Sequence, residues 1–167
     1  MSGMGAFDDL LEANAAFADA LVDDGLPGQA ARGLAIVTCM DSRIEPLGML
    51  GLRRGDAKIL RNAGGRVTGD VLRTLVLATH LLAVNRILVV EHTECKMASA
   101  TTDEVHQQIH DSSGIDSRSL DFHLMDDQLA SLANDVQRVR SSPYLPDGVE
   151  VGGFLFDVRS GRLSEVC

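Results

Sequence analysis

"LAIVTCMDSR", Leu34 to Arg43, joins a short apolar run to a cysteine, a carboxylate and an arginine. Leu34 to Cys39 is almost continuously apolar and includes the β-branched Ile36 and Val37, the pattern of a strand covered on both faces. "RILVVEH", Arg86 to His92, has the same character and ends on a histidine. "AKILRNAGG", Ala57 to Gly65, reads as a strand running into a glycine loop. Around these runs the spacing turns helical. Phe7 to Val22 sets Leu10, Leu11, Ala15, Phe17, Ala18, Leu21 and Val22 on one periodicity, which "DDGLPG" stops. Pro46 to Leu50 suggests a short helix. Gly69 to Ala83 follows Thr68, whose hydroxyl can cap a first turn. Thr102 to Asp111 and Met125 to Arg140 complete the helices, and Arg159, Ser160 and Gly161 suggest a hairpin turn near the end. The stretch Asp111 to Ser119 is the most loop-like.

Strands alternating with helices predict an α/β fold: a mostly parallel central sheet flanked by helices on both faces, reached through right-handed crossovers. Ligands bind such sheets beyond the carboxyl ends of the strands, where Cys39 and His92 both fall. No repeat or linker divides the chain, so residues 1–167 are expected to form one domain.

The composition agrees with an ordinary core: 167 residues, 45% hydrophobic and 23% charged. A net charge of −9 argues against a nucleic-acid partner, because phosphate binding requires a surplus of Lys and Arg on one face. No apolar run approaches the roughly 18 residues of a membrane span, and Met1 to Asp9 lacks the basic and apolar regions of a signal segment. A cytoplasmic location is expected. Three cysteines in a reducing compartment are ligands, nucleophiles or buried hydrophobes rather than disulfides.

"HTECKM", His92 to Met97, offers an imidazole and a thiol three residues apart. H-x-x-C alone is also the pattern of a packed strand-end histidine beside a buried cysteine. A second cysteine, Cys39, at an equivalent strand end makes two thiolates and an imidazole, a set that suits Zn²⁺ with a fourth position open. Asp41 and Arg43 follow Cys39 at once. D-x-R commonly closes a loop with a salt bridge; beside a metal, the same pair fixes an ionised carboxylate in one orientation. His106 and His110 in "VHQQIH" have the i, i+4 spacing of zinc-protease ligands, but Gln107 stands where that chemistry needs its glutamate base, and a solvated helix face is expected.

"CMDSR", "RNAGG", "HTEC" and the closing "GGFLFDV" together resemble the short, single-domain β-class carbonic anhydrases over nearly the whole chain. The resemblance implies Cys39, His92 and Cys95 as zinc ligands, Asp41 with Arg43 as the catalytic dyad, and Ser42, Asn62, Ala63, Gly64 and Gly65 along the substrate pocket. It implies reversible hydration of CO₂ to bicarbonate by zinc-bound hydroxide. It also implies a homodimer, often paired into homotetramers, with the N-terminal helix, about residues 7–24, packed on the neighbour. Relatives using the same zinc site on carbonyl sulfide or carbon disulfide, and a non-catalytic zinc module, are the alternatives. Lys96 departs from the glycine usual in the family. It either strains the backbone or points to solvent with ordinary dihedrals, and the second is expected.

Overall fold

The computed structural model describes residues 5–167; the first residues of the stretch read against a signal segment lie outside them. Five strands form one sheet: β1 (Leu34–Cys39), β2 (Ala57–Asn62), β3 (Arg86–His92), β4 (Glu150–Phe156) and β5 (Leu163–Glu165), in the order β2-β1-β3-β4-β5. The first four are parallel, and β5 returns antiparallel to β4 through the expected hairpin. Every residue of β1 is buried, which explains its unbroken apolar run. The helices are α1 (Asp8–Ala20), α2 (Gly69–Leu81), α3 (Thr102–Ser113) and α4 (Gln128–Arg140).

One sheet face carries Ala35, Val37, Ile87, Val89 and Val151 against Val71, Leu75 and Ala78 of α2 and Leu132, Val136 and Val139 of α4. The other face, with Leu34, Ile36, Val90 and Phe156, is covered by Ile44, the segment Met49 to Leu52, and Met97 and Met125. The helix expected from Met125 therefore begins later. Met125 is a buried core residue, and Asp127 caps α4 by accepting from the Ala130 amide. α3 runs further than expected, through Ser113, closed by Gly114 at φ 73. Thr68 caps α2 as read, accepting from the Val71 amide.

α1 differs most from an ordinary core helix. None of its residues is buried, and Phe7, Leu10, Leu11, Phe17, Leu21 and Val22 along and beside it are all exposed. No helix among the described residues is long and apolar enough to cross a membrane.

Glu91 on β3 is fully buried, and neither of its carboxylate oxygens has a hydrogen-bond partner among the described residues. Burial pushes its carboxyl up to about 8 from the ordinary 4.5, only partly opposed by the Arg66 charge. A folded-state carboxyl that binds its proton more tightly than the unfolded one stabilises the fold at low pH. That contribution is lost as pH rises from about 4.5 to about 8, because there the unfolded chain binds fewer protons. Glu91→Gln is therefore expected to unfold at a higher urea midpoint than wild type at pH 8, with the difference shrinking toward pH 5. Parallel urea titrations at the two pH values read this directly.

Candidate metal centre

Parallel pairing brings the site together. Thr38 is opposite Val90 and Cys39 opposite Asn62, so the carboxyl ends of β1, β2 and β3 lie side by side. Beyond His92 the chain turns through Thr93 and Glu94 and delivers Cys95 back toward Cys39. The ligand atoms of Cys39, His92 and Cys95 lie within 4.8 Å of one another, and all three residues are buried.

The imidazole shows how that cluster is used. His92 Nδ1 lies 2.9 Å from the Thr93 carbonyl oxygen. Because a carbonyl only accepts, Nδ1 carries the hydrogen and Nε2 presents its lone pair. Nε2 is buried without a hydrogen-bond partner among the described residues, which costs roughly 1–3 kcal/mol unless something satisfies it. The two sulfurs make the same point. Contact with the Cys95 thiol, against the opposing effect of burial, holds the Cys39 thiol far below its ordinary value; the same contact and burial push Cys95 up. Two adjacent thiols cannot both ionise unaided, and a soft divalent cation between them allows it. For His92, burial works against the charged ring, yet contact with Cys39 outweighs it and raises the ring's basicity. An orphaned nitrogen facing two thiols fits Zn²⁺ by donor chemistry and by number.

Asp41 follows on the loop. Arg43 Nε donates to Asp41 Oδ1 at 3.0 Å and Arg43 NH2 to Oδ2 at 2.8 Å, while the Arg43 amide also donates to Oδ1. The guanidinium holds the Asp41 carboxyl well below the usual carboxylate range, so it is ionised at neutral pH. Asp41 Oδ2 lies 3.9 Å from His92 Nε2.

The glycine loop seats the first thiol. Gly64 donates its amide to Cys39 Sγ at 3.3 Å. Gly65 has φ +69, and a Cβ there would fall 3.0 Å from backbone atoms of Thr38, Cys39 and Val90, so only glycine permits this approach. Ala63 lies in the same short turn. Asn62 turns its amide to the loop itself, giving to the Arg66 carbonyl and accepting from the Arg66 amide, both at 2.8 Å. Ser42 is exposed beside the Asp41–Arg43 pair.

Several positioning side chains carry no local signal in the sequence. Arg61 donates to the Cys39 carbonyl at 2.9 Å and the Asp41 carbonyl at 2.7 Å, pinning the strand end. Arg66 grips the buried Asp135 of α4 at 2.7 Å, and Asp135 also accepts from the Val67 amide; this pair anchors the glycine loop to a helix 69 residues away. Lys96 is exposed and its φ is not positive; the left-handed residue of the turn is Glu94, at φ 58. His106 is not simply solvated. It packs on Phe122 with ring centroids 5.3 Å apart and bonds Ser117 at 2.8 Å, while His110 is exposed. Among the described residues, Cys39, His92 and Cys95 are the one group placed to hold a metal.

Comparison with known proteins adds a family. A model described as carbonic anhydrase matches residues 34–163. Beta-carbonic anhydrase 1 of Mycobacterium tuberculosis is 35% identical over 141 residues, covering 84% of this chain and 86% of that protein. A carbon disulfide hydrolase of Acidithiobacillus thiooxidans is 33% identical over 162 residues, covering 83% and 78% respectively. The crystal structure of a carbonic anhydrase from Streptococcus mutans superposes with a TM-score of 0.90 at 39% identity, covering 98% of this chain and 99% of that one.

Proposed function

Because the chain belongs to the β-class carbonic anhydrase family, we propose that it catalyses the reversible hydration of CO₂ to bicarbonate, with Zn²⁺ held by Cys39, His92 and Cys95. The observation that carries this reading is the buried, unpartnered Nε2 of His92 facing two thiols, with an ionised Asp41 3.9 Å away. A bound Zn²⁺ supplies a Lewis acid that lowers the pKa of a coordinated water, less strongly with two thiolate ligands than with three neutral imidazoles.

The remaining chemistry belongs to the protein. Asp41, kept ionised by Arg43, has no proton to give and acts as an acceptor. A water in front of it donates one hydrogen to a carboxylate oxygen, which turns that water's lone pair toward the incoming carbon. Arg43 also opposes any rotation of Asp41 onto the metal, because leaving the guanidinium breaks two charge-assisted hydrogen bonds. Gly64 donates to Cys39 and so steadies one thiolate. Ser42, Asn62, Ala63, Gly64 and Gly65 line the approach. Short side chains there suit a small linear molecule that needs no charged group to bind it. We assign the whole chain to one cytoplasmic domain. We also assign it a homodimer as its minimal unit, and a homotetramer as a pair of these: the apolar residues of α1 find no core among the described residues and a second copy would cover them.

The similar carbon disulfide hydrolase favours a second reading, hydrolysis of carbonyl sulfide or carbon disulfide at the same centre. Stopped-flow assay of zinc-loaded protein on CO₂, carbonyl sulfide and carbon disulfide at pH 7 and pH 9 separates them. Rapid CO₂ turnover rising with pH supports the proposal. Silence toward CO₂ with release of hydrogen sulfide from the sulfur substrates replaces it with the second reading.

A further inference from the structure

Glu94 stands between two proposed ligands, His92 and Cys95, with φ 58. That left-handed region suits glycine or asparagine and is unfavourable for a longer side chain. The turn thus keeps a carboxylate where its backbone would be better served without one, and backbone strain of this kind is a pointer to function. Its contacts give the reason. Oε2 accepts from Arg43 NH1 at 3.0 Å, Oε1 accepts from Arg159 Nε at 2.8 Å, and the Glu94 carbonyl oxygen accepts from Arg43 NH2 at 3.4 Å. The remaining donors of Arg43 face Asp41. Arg159 comes from the β4–β5 turn, which Asp157 shapes by accepting from the Arg159 and Ser160 amides. Asp41, Arg43, Glu94 and Arg159 therefore form a chain of alternating charges from the site to the C-terminal hairpin.

We propose that Glu94 is a positioning residue: anchored by Arg159, it fixes the Arg43 guanidinium and thereby keeps Asp41 turned away from the metal position. This rests on the zinc-dependent reading above. Asp41 Oδ2 is close enough to His92 Nε2 that a small rotation would make it a ligand, and a dication attracts it strongly. Arg43 grips Asp41 through two hydrogen bonds, but with 44% of its side chain exposed the guanidinium is itself free to swing with the carboxylate unless its far side is tied. A second carboxylate on the loop that carries two of the ligands removes the guanidinium's freedom to follow Asp41. Arg159 is 79% exposed and contributes less than Glu94.

A merely structural Glu94 would tie the hairpin to the loop and do nothing more. The test uses Glu94→Asn and Glu94→Gly, both of which suit the backbone and lack a carboxylate that reaches Arg43. Thermal midpoint, zinc release to a chromogenic chelator and CO₂ hydration are measured on each zinc-loaded protein. Both variants are expected to melt no lower than wild type. Asp41, freed to bind the metal, should slow zinc release and lower kcat for CO₂, each about fivefold. Arg159→Ala should move the same way by about twofold. In an Arg43→Ala background, Glu94→Asn should change neither rate further, because its effect passes through Arg43. Unchanged zinc release in both Glu94 variants, or an effect that persists undiminished without Arg43, overturns the proposal. Zinc release needs no substrate, so a wild-type protein silent toward CO₂ would count against the functional reading while zinc release still decided the role of Glu94.

Discussion

Cys95→Ser is expected to lose bound zinc and CO₂ hydration together, with the rate falling at least about 10³-fold. The serine hydroxyl is a poor replacement on two counts. It does not ionise near neutral pH, and an oxygen forms a shorter, harder bond than the thiolate that a strand-end turn is built to present. Loss of one thiolate also leaves Cys39 and the lone pair of His92 Nε2 with an ion held by only two groups. The fold itself should survive: Cys95 is buried in the core beside Ile36, Ile44 and Val90, but it lies beyond β3, and serine in its place changes the packed volume very little. Metal analysis after dialysis, far-ultraviolet circular dichroism and stopped-flow hydration separate these effects. Retained zinc at one equivalent with retained activity would remove Cys95 from the ligand set.

Asp41→Ala should give the opposite dissociation: zinc kept, hydration lowered about 10²-fold. With its pair to Arg43 at 2.8 Å, the carboxylate is held in one orientation, and its value lies in aiming a water rather than in binding the metal. Because Arg43 holds its pKa well below the usual range, Asp41 stays ionised throughout pH 6 to 9. Any rise in the wild-type rate over that interval therefore belongs to another group, and the shape of the profile should survive in Asp41→Ala while its height falls. Arg43→Ala is milder in the rate but distinct in kind, since it frees Asp41 to move. A variant at Asp41 that lost zinc and secondary structure together would make the residue structural.

Much of this architecture was legible because the determining signals are local. β1 and β3 are short apolar runs bounded by polar residues, and their ends fall where the sequence places them, at Cys39 and His92. Parallel pairing then converts two strand ends into one site, so that a thiol and an H-x-x-C far apart in the chain meet. The helix cap at Thr68 and the hairpin at Arg159 to Gly161 are equally local.

What was not legible depends on groups distant in sequence. The apolar stripe of α1 announces burial without saying against what, and among the described residues it stays exposed. The Arg66–Asp135 pair joins a loop to a helix that carries no complementary pattern. Glu91 sits in the best strand of the chain as one polar letter, and only the folded structure shows both of its oxygens buried and unpartnered among the described residues. Glu94 looks like a surface residue of a turn until its φ and its two arginines are seen together.

One zinc ion, held by Cys39, His92 and Cys95, is proposed to make this chain a CO₂ hydratase. The most direct test is a titration of metal-free protein with Zn²⁺, following the CO₂ hydration rate by stopped flow at pH 9. The rate should climb linearly to one zinc per chain, stay flat beyond it, and return to the uncatalysed value when a chelator removes the ion. Full zinc loading with no hydration, or a rate indifferent to zinc, would contradict it.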